Sequence, residues 1–111
     1  MSGSDLLREA GALVALGWCQ NAEARTLQGA AVDISAGNAA EWSLLGALQA
    51  VTFRDSSTTL EDLRNALGAI ADLIEDPSLA DWNDKPERTA SDVTALLADA
   101  EQLASVDGAS A

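Results

Sequence analysis

Apolar residues recur along most of this chain at the three-and-four spacing of buried helix faces, and the places where that spacing fails divide it into segments. Leu6, Leu7, Ala10, Leu13 and Val14 mark one face of a first helix, predicted from about Asp5 to Leu16 with Ser4 as its cap. Gly17 is the expected break. GWCQNAEA, which follows, fits either a kinked continuation or a short second helix. From Arg25 to Asn38 the spacing is lost: RTLQGAAVDISAGN carries two glycines and no helical stripe, and Val32 with Ile34 allows at most a short extended piece. Residues 25–38 therefore read as a long ordered loop, with Leu27, Val32 and Ile34 available for packing.

The next segment, NAAEWSLLGALQAVTF, is apolar nearly all round, which predicts a helix in the middle of a bundle. Gly46 costs such a helix about 1 kcal/mol relative to Ala and is expected to admit a neighbouring helix. In DSSTTLEDLRNALGAIADLIED, Thr58 and Glu61 have capping-box spacing, and Leu60, Leu63, Leu67, Ile70 and Ile74 fall on one stripe that Pro77 ends. Thr89 with Asp92 opens a last helix, whose face is Val93, Leu96, Leu97, Ala100 and Leu103 and whose end falls near Ala104. The expected fold is all-α: a small antiparallel bundle of four principal helices, with the long ordered loop between the first and second. One domain is expected over 1–104, with 105–111 a disordered tail.

Composition reinforces the helical reading, because the apolar residues are largely Ala and Leu and aromatics make up only 4%. Charge narrows the partners. Six basic residues against eighteen acidic ones leave −12, which repels a bare nucleic-acid backbone or an anionic membrane and suits a basic protein, cations or solubility alone. Neither direct nucleic-acid nor membrane binding is expected. The single cysteine, Cys19, excludes an intramolecular disulfide and points to a reducing compartment. The start, MSGSDLLREAG, has no basic leader pattern, so the expected location is the cytoplasm.

Several chemistries are excluded outright. Without histidine there is no Ser-His-Asp or Cys-His system, and one cysteine rules out a thiolate zinc or iron-sulfur site within the chain. Asp76 to Glu87 has the length of a calcium loop, but Ala80 and Asp81 stand where a ligand and the turn glycine belong. Lys85 lies in no phosphate-binding pattern. No cofactor, metal ligand or catalytic residue is assigned. Cys19, with no basic cluster nearby in sequence, reads as a small buried hydrophobe, and Trp18 and Trp42 read as core.

One polar stretch stands out. LADWNDKPERT places Trp82 in a loop, with Asn83 and Asp84 suited to a turn and Pro86 disfavouring helix at Lys85. Leu79 and Trp82 are expected to tuck under that loop, with Arg88 pairing to Asp84 or Asp81. Alternatively Trp82, Asn83, Asp84 and Arg88 form a candidate partner-binding corner, since Trp and Arg are enriched at binding hot spots.

GWCQ at 17–20, EWSLLGAL at 41–48 and WNDKPERTASDVTALLADA at 82–100 resemble a family of small uncharacterised proteins of bacteria and their phages. Members typically read G-W-C-Q-G, an Arg-Asp-rich loop, W-x-L-x-G-A-L and W-N-D-x-P-x-R-T before an amphipathic helix. Asn21 stands where the family commonly has glycine, and the loop from Arg25 to Ile34 lacks its usual acidic and proline residues. The resemblance implies a bacterial or phage origin and one helical domain, and brings no established activity. The expected function is non-enzymatic protein binding, such as a phage-encoded modulator of a host protein. The alternatives are an acidic mimic of nucleic acid that blocks a DNA- or RNA-binding protein, and a carboxylate-based or metal-assisted enzyme. The protein partner is unspecified, and an apolar strip on the first helix leaves a homodimer open.

Overall fold

Most helix starts in this chain are set by hydroxyl and carboxylate side chains three residues apart. In the computed structural model, which describes residues 2–110 and side chains through Ser105, helix α1 spans Gly3–Leu16. Its cap is Ser2 rather than Ser4: the Ser2 hydroxyl accepts from Asp5 N at 3.1 Å while the Asp5 carboxylate accepts from Ser2 N. Helix α3, Leu60–Ala71, begins one residue later than expected for the same reason, with Thr59 and Asp62 as the reciprocal pair. Thr89 and Asp92 exchange the equivalent bonds, as expected, ahead of α5, Ala90–Ser110. The expected tail at 105–111 falls within this helix up to Ser110; Ala111 and the side chains beyond Ser105 lie outside the described residues.

Helix α2 is Leu44–Arg54, capped by Ser43, so Glu41 and Trp42 are not helical. A fifth helix, α4, Leu79–Asn83, occupies what reads in sequence as a loop; Ser78 caps it by accepting from Asp81 N at 3.0 Å. Helix α3 stops at Ala71, well before Pro77, where Leu73 N–H closes a tighter turn onto the Ile70 carbonyl.

The purely all-α expectation is corrected by a three-stranded antiparallel sheet in order β2-β1-β3, formed by β1 Ala24–Arg25, β2 Ala31–Val32 and β3 Glu41–Trp42. Ala24 stands opposite both Val32 and Trp42, and Arg25 opposite Ala31 and Glu41. Strands of two residues leave no period-two pattern in the sequence. The long loop is therefore built around a short β1–β2 hairpin, with β3 added on the free side of β1. Its tip is turned by Gly29 at φ 88°, with the Thr26 hydroxyl accepting from Ala30 N. Arg25 ties the hairpin to the segment after α1 by donating to the Gln20 and Gly29 carbonyls.

The centre of the molecule is α1, against which α2, α3 and α5 all pack. That corrects the expectation that the segment containing Leu44–Arg54 lies in the middle. The α1 face is the expected one: Leu6, Leu7, Ala10, Leu13 and Val14 are buried. On α5 the buried residues are Val93, Leu96, Leu97, Ala100 and Ala104. Each large aliphatic side chain so buried stabilises the fold by about 1.5–3 kcal/mol. On α3 the buried residues are Ala66, Ala69 and Ile70, whereas Leu63 and Leu67 are half-buried and Leu60 is 64% exposed. The expected leucine stripe thus runs along the edge of the core.

Candidate functional site

Two places gather unusual chemistry. The first is the end of α4 and the turn after it, carrying Trp82, Asn83, Asp84 and Arg88, where Asn83 is 1% exposed and joins three separated segments. Its Oδ1 accepts from Trp18 Nε1 at 2.8 Å and from Leu44 N at 3.0 Å. Its Nδ2 donates to the Cys19 carbonyl at 3.1 Å and to Asp84 Oδ1 at 3.0 Å. Both lone-pair positions and both protons are used, so the amide is fully satisfied in a site that water does not reach. The same Asp84 oxygen accepts from Asn21 N at 2.9 Å, and Gln20 Nε2 donates to the carbonyls of Asn83 and Lys85.

Trp82 is 9% exposed and belongs to the core cluster, so it tucks beneath the chain as expected. Arg88 departs from its expected pairing. Its Nε donates to the Trp82 carbonyl at 2.9 Å, and the guanidinium lies 3.7 Å from the Trp82 ring centroid. A planar, weakly hydrated cation against an indole face explains that choice over a solvated carboxylate. Lys85 instead pairs with Asp76 at 3.0 Å. The four candidate residues are thus brought together, with their polar groups turned largely inward.

Around this knot the backbone approaches closely. Trp42 N donates to the Gly17 carbonyl at 3.0 Å, Cys19 N donates to the Trp42 carbonyl, and Ser43 N donates to the Glu23 carbonyl. Gly46 lies against that same Glu23 carbonyl, where an added methyl would collide; strand-side backbone, and no helix, fills the space it leaves. Asn21 has φ 63°, a left-handed conformation that Asn tolerates and glycine adopts freely. Cys19 is 5% exposed, and burial, reinforced by the charge of Glu41, pushes its thiol pKa up to about 11. It is a protonated, shielded thiol at neutral pH and a poor nucleophile.

The second place was not evident in the sequence. Helices α2 and α3 both rest on α1 but make little direct contact with each other, and between them runs an open groove of about 640 Å³. Leu45, Leu48 and Phe53 from α2, Leu63 and Leu67 from α3, and Ile34 from the chain after β2 give it an apolar lining. Phe53 is 69% exposed on its margin. Gln49, which also lines it, has a buried amide oxygen that accepts no hydrogen bond from any described residue. Glu23 and Asp33 supply the charge. The Ser35 hydroxyl and N–H, both donating to Asp33, hold its carboxyl below the usual range and keep it ionised. One signal was available in sequence: α2 is apolar on more faces than its neighbours cover, and the α3 stripe puts leucines beside buried alanines.

Among the described residues, no group of three or more Cys, Asp or Glu side chains is disposed to hold a metal ion, and no helix is long and apolar enough to cross a membrane. No curated protein and no solved structure matches the chain. A sequence model of a family of unknown function does match it, over residues 1–103, a span that contains both the Asn83 knot and the groove. The chain belongs to that family, DUF6197.

Proposed function

We propose that this chain is a non-enzymatic protein-binding module whose contact surface is the groove between α2 and α3. The observation that supports the reading is a continuous apolar lining open to solvent, with an aromatic side chain, Phe53, standing free on its margin. Single exposed apolar residues are ordinary on protein surfaces, whereas a grouped, concave set is typical of a binding site. Trp82, Asn83, Asp84 and Arg88, the alternative corner, spend most of their bonding capacity on the chain itself. In this reading they hold the scaffold and the groove meets the partner. The proposed setting is the cytoplasm of a bacterium or of a phage-infected bacterium, and a host protein is the proposed partner.

Affinity capture from a lysate of the native host tests this with wild type, Phe53→Ser and a folded Trp82→Ala variant. A specific partner retained by Trp82→Ala and lost with Phe53→Ser is the expected result. A partner indifferent to Phe53 but lost with Trp82→Ala would return the interface to the corner.

A further inference from the structure

The groove, if it docks a partner as proposed above, also restricts what that partner can be. Its lining is apolar along α2 and α3, helices of 11 and 12 residues that run for about 16–18 Å. Leu45, Leu48, Gln49, Thr52 and Phe53 recur at three- and four-residue spacing along one side of α2, and Leu63 and Leu67 do so on α3. A trough of that length between two helices matches the apolar stripe of a third helix, about three turns long.

Its charge is one-sided. Glu23 and Asp33 line the groove, and no basic side chain does. Most of the chain's own cations are engaged elsewhere: Arg8 with Asp5, Lys85 with Asp76, Arg25 with backbone carbonyls, and Arg54 and Arg88 with Trp42 and Trp82. A second copy of this chain, also at −12, would bring like charge to the acidic margin. We infer that the groove receives an amphipathic helix of a basic partner protein, with the partner's apolar stripe on Leu45, Phe53, Leu63 and Leu67 and its Lys or Arg side chains beside Glu23 and Asp33.

Fluorescence anisotropy with labelled synthetic helices of about 14 residues, roughly 21 Å long, tests this on the full chain. Three probes share one leucine stripe and differ in the other face: lysine, glutamine or glutamate. The leucine-lysine helix is expected to bind, more weakly as salt rises, and at least tenfold more tightly than the leucine-glutamate helix. Phe53→Ser alone, and Phe53→Ser with Leu45→Arg, should weaken it tenfold or more while circular dichroism stays that of wild type. Glu23→Gln with Asp33→Asn should weaken it several-fold and flatten the salt dependence.

Failure of the leucine-lysine helix to bind, or binding indifferent to Phe53 and Leu45, overturns the inference. A leucine-glutamine helix that binds as tightly, and is still lost with Phe53→Ser, overturns the basic partner while leaving the groove as a docking surface. A wild-type dimer in sedimentation that Phe53→Ser abolishes replaces the partner helix with a second copy and also overturns it.

Discussion

Asn83 shows how one small amide can organise a chain with short strands and few aromatics. Its four hydrogen bonds reach Trp18, Cys19, Leu44 and Asp84, which lie in three separate stretches of sequence. Asn83→Asp keeps the acceptor and loses both donors while adding a charge beside Asp84. It should cost about 3 kcal/mol, read as a fall in Tm of roughly 13 °C. Asn21, at φ 63°, predicts a matched pair of outcomes in denaturant unfolding: Asn21→Gly is neutral or stabilising, and Asn21→Val costs about 1–2 kcal/mol.

Cys19 carries a pH signature. Its pKa is raised from 9.0 to about 11, so the folded state keeps the proton that the unfolded chain releases. The stabilising contribution is complete below pH 9 and is lost as pH rises toward 11. Stability followed across that window should decline in wild type and decline less in Cys19→Ala, and iodoacetamide should label the thiol only on unfolding.

At the scale of elements, helix propensity and local packing disagree at Gly46. Propensity alone predicts that Gly46→Ala stabilises α2 by about 1 kcal/mol. The Glu23 carbonyl occupies the space, so the substitution should instead destabilise by about 1–3 kcal/mol in equilibrium unfolding, as β1 is pushed from α2. A gain in stability would mean that the two elements separate freely.

The same packing explains what the sequence disclosed. The buried faces of α1 and α5 were legible because their apolar stripes coincide with the core, and the Thr89–Asp92 cap because side chain and helix start are adjacent. The strands were not, since Ala24–Arg25, Ala31–Val32 and Glu41–Trp42 are defined by backbone pairing between distant segments. Helix α4 was hidden by the turn-forming Asn83 and Asp84 at its end. Trp82 was legible as a residue placed under the loop, but its role as the platform for Arg88 depends on a turn that no periodicity encodes.

For the whole molecule, the arrangement separates holding from contact. Three sequence blocks, GWCQ, EWSL and WNDKPER, meet at Asn83, while α2 and α3 part over α1 and leave apolar lining in solvent. The groove could not be read from either helix alone, because a half-buried leucine and a core leucine follow the same spacing. Only the parting of α2 from α3 distinguishes them. The most direct measurement is an amide-shift titration by NMR of the labelled chain with the leucine-lysine helix. Shifts concentrated at Leu45, Gln49, Phe53, Leu63 and Leu67, with residues 82–88 little changed, are the predicted result. Shifts centred on Trp82 to Arg88, or none, would contradict the assignment of contact to the groove and of support to the Asn83 knot.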